Sequence, residues 1–104
     1  MGRLLWQPRP ERARDSNMAR YMAYVNGRYG TDFADYDALY RWSVEQIGDF
    51  WGSLWDFLEV RHSRGPARVV DDPFKMPGAR WFEGARLNFA ANLLRYRDGR
   101  TALI

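Results

Sequence analysis

Between Glu45 and Leu58 the chain places Ile47, Phe50, Trp51, Leu54, Trp55, Phe57 and Leu58 at helical spacing. An ordinary surface helix shows an apolar stripe about 100° wide, and this arc is broader. A helix of that kind must be covered on more than one side, so it dictates what its neighbours have to supply. Gly48 and Gly52 fall inside it, and a glycine in a helix interior costs about 1 kcal/mol relative to alanine.

The length limits how much cover is at hand. The chain has 104 residues, the size of one small domain, and 46% of them are apolar against 28% charged. Five Trp, six Tyr and six Phe are many rings for so short a chain. Either the core is built of rings, or part of the ring surface is meant for something outside the chain. Cysteine is absent, which excludes a disulfide scaffold, a thiolate metal site and a cysteine nucleophile, and points to a cytoplasmic setting. No apolar run approaches the roughly 20 residues of a membrane helix, and Met1 to Trp6 has no secretory apolar region, so no membrane partner is expected. The net charge is +3, with signs interspersed; Lys75 is the sole lysine among the sixteen basic residues. A nucleic-acid surface would gather arginines in a stripe, and the densest group here, Arg9, Arg12 and Arg14, is broken by Glu11; no nucleic-acid partner is expected.

Periodicity predicts four helices, near 16–26, 35–43, 45–58 and 88–96. Residues 1–14 read as an extended arm anchored by Leu4, Leu5 and Trp6, because Pro8 and Pro10 break any period. Asp15 or Ser16 caps the first helix, whose stripe is Met18, Tyr21, Met22 and Val25, and Gly27 is placed to end it. Asp35 caps the second, with Tyr36, Leu39 and Tyr40 on one face. Residues 59–86 carry no helical period, and only Val69-Val70 suggests a very short strand. Loops of that length are usually functional or packed on something. The fourth helix turns Phe89, Leu93, Leu94 and Tyr96 inward, and Thr101 to Ile104 reads as an apolar strand with nothing to pair with. The expected fold is therefore mainly α, one module over 1–104: an arm (1–14), a helical part (15–58), and an irregular segment with a helix and a strand start (59–104). The unpaired strand leads to the expectation of an incomplete piece of a larger protein.

No catalytic constellation is visible. His62, between Arg61 and Ser63, lacks the partner that a general base needs. Ser16, Ser43, Ser53 and Ser63 stand in no nucleophile elbow. The acidic pairs Asp35/Asp37, Asp71/Asp72 and Asp56/Glu59 match no metal-binding spacing, and no glycine-rich phosphate loop occurs. The expectation is no catalytic, cofactor-binding or metal-binding residue in this segment.

Three stretches carry a resemblance. Leu39 to Trp51 (LYRWSVEQIGDFW), Met76 to Leu94 (MPGARWFEGARLNFAANLL) and Leu4 to Asn26, which opens LLWQPRPER, resemble in order and spacing the N-terminal part of acetoacetyl-CoA synthetases. Ala91 departs from the pattern, where the family more often has Glu. The resemblance implies that the larger protein is an α/β enzyme, an adenylate-forming acid–thiol ligase using ATP, Mg2+ and coenzyme A, whose phosphate loop and catalytic lysine map to no residue here. It further implies that this segment packs on the large ATP-binding domain, in cis or in trans. Trp51, Trp55, Arg80, Trp81 and Phe82 are the expected docking surface, and exposed rings would also allow self-association. The other reading is a free-standing helical interaction module derived from such a leader.

Overall fold

The computed structural model describes residues 2–104, and the chain divides into two compact units, residues 1–46 and 47–104. The fold is mainly α.

The first unit holds α1 (Pro10–Arg14), α2 (Asn17–Tyr29) and α3 (Tyr36–Glu45). The stretch expected to be wholly extended thus contains a helical turn, because Pro10 stands at its first position, where the missing N–H costs nothing. Leu4, Leu5 and Trp6 are exposed rather than anchored. Ser16 caps α2, its Oγ accepting the Ala19 N–H at 3.1 Å, and Asp35 caps α3 through Ala38 at 2.8 Å. The α2 helix runs past Gly27 and stops at Gly30, which takes the left-handed conformation (φ 67°) that glycine enters without a Cβ penalty. Tyr21 and Val25 on α2, with Leu39 and Trp42 on α3, are buried. The Trp42 ring lies 5.4 Å from Tyr29 and 6.0 Å from Phe33. Asn26 ties down the intervening loop: its Oδ1 accepts from the Phe33 N–H (2.9 Å) and the Thr31 hydroxyl (2.8 Å), while its Nδ2 donates to the Phe33 carbonyl.

The second unit holds α4 (Ile47–Phe57), β1 (Arg68–Val70), β2 (Trp81–Glu83) and α5 (Phe89–Leu93). The strands form an antiparallel hairpin with Arg68 opposite Glu83 and Val70 opposite Trp81, and a further bridge joins Arg64 to Arg86. Val69-Val70 is a strand as expected. Trp81 and Phe82 sit in its partner strand instead of an aperiodic loop. The two glycines of α4 face this hairpin: a Cβ on Gly52 would meet Val69 Cγ2 at 3.1 Å, and one on Gly48 would meet Val70 Cγ1 at 3.9 Å. Part of the wide apolar arc is therefore covered by a strand lying close over small residues.

Two side chains fasten α5. Asn92 accepts the Arg61 N–H at 2.7 Å and donates to the Arg61 carbonyl at 2.9 Å, and Arg95 Nη1 donates to the Leu58 carbonyl at 3.0 Å. The latter is a cation placed at the negative end of α4. The helix expected over 88–96 is accordingly shorter, covering only α5, and Phe89, Leu93, Leu94 and Tyr96 are exposed, because α5 attaches through polar groups and not through an apolar stripe. Thr101 to Ile104 forms no strand; extended chain without a ladder partner has nothing to hold it.

Candidate docking interface

The site is built by α4 and β2. Trp51 and Trp55 stand one helical turn apart, so both point to the same side of α4. Trp81 and Phe82 are consecutive in β2, where a regular strand would send them to opposite faces. Phe82 has φ 49°, which breaks the alternation, and both rings meet α4. Trp81 lies edge-on to Trp51 with centroids 6.2 Å apart, and Phe82 stacks on Trp55 at 4.7 Å. Phe50 extends the group, 5.1 Å from Trp51. The four expected aromatic residues are thus brought together. The outer pair remains open: Trp51 is 43% and Trp81 42% exposed, while Trp55 and Phe82 are half-buried.

Arg80, the fifth expected residue, points largely into solvent and pairs with Glu83 at 3.5 Å. Glu83 also receives a hydrogen bond from Arg68 across the strand pair, and this bond is the main reason its carboxyl titrates below the usual range. Asp71 is likewise held low, chiefly by the Arg80 N–H donating to it at 2.7 Å. The charges at this edge of the hairpin are therefore matched within the chain.

Two participants were not evident from sequence. His62 is exposed, but its ring sits 5.3 Å from Trp55 and its Nδ1 lies 2.9 Å from the Val60 carbonyl. The Arg68–Glu83 pair depends on strand register, which no local motif announces. Among the described residues no group of three or more His, Asp or Glu side chains is placed to hold a metal ion. No helix among them is long and apolar enough to cross a membrane. What the arrangement offers is a ring-rich, charge-balanced face.

Comparison with known proteins places this chain in a family. The family model described as acetyl-coenzyme A synthetase N-terminus matches residues 36–93, more than half of the chain and the whole of α4 and the hairpin. The chain belongs to that family. Among curated relatives, it is 43% identical over 102 residues to an acetoacetyl-coenzyme A synthetase of Rhizobium meliloti, covering 98% of this chain and 16% of the relative. It is 42% identical to a malonamoyl-CoA synthetase of Penicillium aethiopicum, covering 88% of this chain and 12% of that one. An acetoacetyl-CoA synthetase structure from Streptomyces lividans superposes with a TM-score of 0.76 at 36% identity, over 90% of this chain and 16% of that one. The synthetase N-terminus seen here thus spans about one-sixth of the length of such relatives or less.

Proposed function

We propose that residues 1–104 are the N-terminal module of an acetoacetate–CoA ligase working in the cytoplasm. The complete enzyme activates acetoacetate with ATP and Mg2+ to an acyl-adenylate and passes the acyl group to coenzyme A. The module contributes no catalytic or cofactor-binding group; it packs on the ATP-binding domain through Trp51, Trp55, Arg80, Trp81 and Phe82. The observation that carries this reading is the match over 98% of the chain to only 16% of the Rhizobium meliloti synthetase. Burial supports the packing role: within residues 47–104 only Ser53 is buried, so the second unit has no fully enclosed apolar side chain. Near-equal identity to synthetases named for two different acids, acetoacetyl and malonamoyl, supports placing acid selection outside this segment.

The test is a chimera in which this chain replaces the matched segment of the Rhizobium meliloti synthetase. Pyrophosphate release with ATP, acetoacetate and coenzyme A is expected within tenfold of the parent, and at background for the 104-residue chain alone. Trp51→Ser should lower the Tm of the chimera more than that of the free chain. Turnover by the free chain would overturn the assignment of catalysis elsewhere. A chimera without activity would favour a free-standing interaction module.

A further inference from the structure

The loop that joins the two strands, residues 71–80, is fixed from within. The Asp71 Oδ1 accepts the N–H groups of Asp72 and Arg80, each at 2.7 Å, and its Oδ2 lies 3.6 Å from Lys75 Nζ. Its side chain is only 14% exposed. The Asp71 N–H in turn donates to the Arg80 carbonyl at 3.1 Å. Asp72 repeats the device one residue on, its Oδ1 accepting from the Phe74 N–H at 3.0 Å and its carbonyl from the Lys75 N–H at 3.2 Å. These bonds hold backbone and leave two large apolar side chains outside: Phe74 is 80% and Met76 92% exposed.

We propose that this loop is a preformed docking finger, whose Phe74 and Met76 enter an apolar depression on the part of the ligase polypeptide beyond the segment described here. The proposal rests on the reading of residues 1–104 as a ligase module. A loop already ordered by its own hydrogen bonds loses little conformational freedom on docking, which favours contact through its tip. Methionine adapts to irregular apolar surfaces, and an aromatic ring beside it supplies area. The charges select the partner. Asp71 and Asp72 balance Lys75 and Arg80, and both cations are engaged, Lys75 with Asp71 and Arg80 with Glu83, so an anionic lipid surface finds no basic patch to attract it. The relatives carry most of their polypeptide outside the matched segment, which makes that polypeptide the available occupant.

Oxidation of Met76 by hydrogen peroxide, followed by peptide mass spectrometry, reads the finger directly. In the free chain Met76 should oxidise as fast as an exposed methionine; in the active chimera it should oxidise at least about tenfold more slowly. The double variant Phe74→Ser, Met76→Ser should lower the Tm of the chimera and leave that of the free chain in place. An active chimera in which Met76 oxidises at the free-chain rate, or a Tm unmoved in both proteins, overturns the finger alone. An inactive chimera overturns the reading on which the finger rests. Vesicles of phosphatidylserine and phosphatidylcholine should leave Met76 oxidation of the free chain unchanged, and protection by them would overturn the protein partner in favour of a membrane.

Discussion

Glu59 and Phe82 are the two residues, other than glycine, that hold a positive φ among those described, at 51° and 49°. Their reasons differ. Glu59 ends α4: its N–H donates to the Asp56 carbonyl and the Val60 N–H to Trp55, an arrangement usually given to glycine. The Glu59 side chain is exposed and makes no hydrogen bond or ion pair among the described residues that would repay the left-handed backbone, which costs an L-residue about 1–2 kcal/mol. Glu59→Gly relieves that cost and gives back part of it by loosening the unfolded chain. The expected gain is about 0.5–1 kcal/mol in urea unfolding, and a loss would show that the carboxylate matters. Phe82 gains a stacked ring in return, so Phe82→Gly should destabilise. The acidic residues of the hairpin make a second residue-scale prediction. Asp71 and Glu83 titrate below their ordinary 3.8 and 4.5 in the folded state. Groups lowered on folding add stability above the unfolded pKa and lose it as pH falls through the folded one. Hairpin stability should be flat above about pH 5 and decline below about pH 4. The amide shift of Arg80 followed by NMR reads this, and a hairpin insensitive to acid would refute it.

At the scale of elements, α4 and β1 meet over two glycines whose substitutions should differ in sign. A methyl on Gly48 would enter ordinary contact at 3.9 Å, so Gly48→Ala should gain about 0.5 kcal/mol, less than an interior helix position because it lies in the first turn. A methyl on Gly52 would press on Val69 at 3.1 Å, and a β-branched side chain in a paired strand has little room to turn away. Gly52→Ala should therefore lose about 1 kcal/mol despite its better helix propensity. Chemical unfolding of the pair checks this, and equal signs would mean that the helix and strand separate easily. Asn92 is the corresponding joint for α5. Replacing it with Ala removes both bonds to Arg61 and should cost about 1–2 kcal/mol, with faster amide exchange at Arg61.

For the molecule as a whole, the balance of burial is uneven. Tyr21, Val25, Leu39 and Trp42 form the enclosed core of the first unit, while the second rests on half-buried rings and side-chain hydrogen bonds. Enclosing one large apolar side chain is worth about 1.5–3 kcal/mol, against about 5–15 kcal/mol for an entire domain. The free 104-residue chain should accordingly be marginal, bind ANS and self-associate, and the chimera should do none of these. A sharp, reversible transition of a monomer without ANS signal would shift the weight to an independent module.

Local chemistry was enough to narrow the first long helix start to Asp15 or Ser16 and to determine the start at Asp35, the strand at Val69-Val70, the breadth of the α4 arc and, through three motifs, the family. Caps and periods act within a turn or two of chain, so they are written where they operate. The tertiary structure decided the rest. Gly27 stayed inside α2 while Gly30 ended it, because Asn26 fastens the loop that follows to Phe33. Phe89, Leu93 and Leu94 faced solvent because Asn92 and Arg95 found partners at Arg61 and Leu58, some thirty residues away. Trp81 and Phe82 became a strand only by pairing with β1 across a ten-residue loop, a partner that no window around them contains. The rings gathered on α4 and β2 could be named from sequence, but which of them remain exposed was settled by strand register and by the two glycines of α4, where long-range packing overrides local preference.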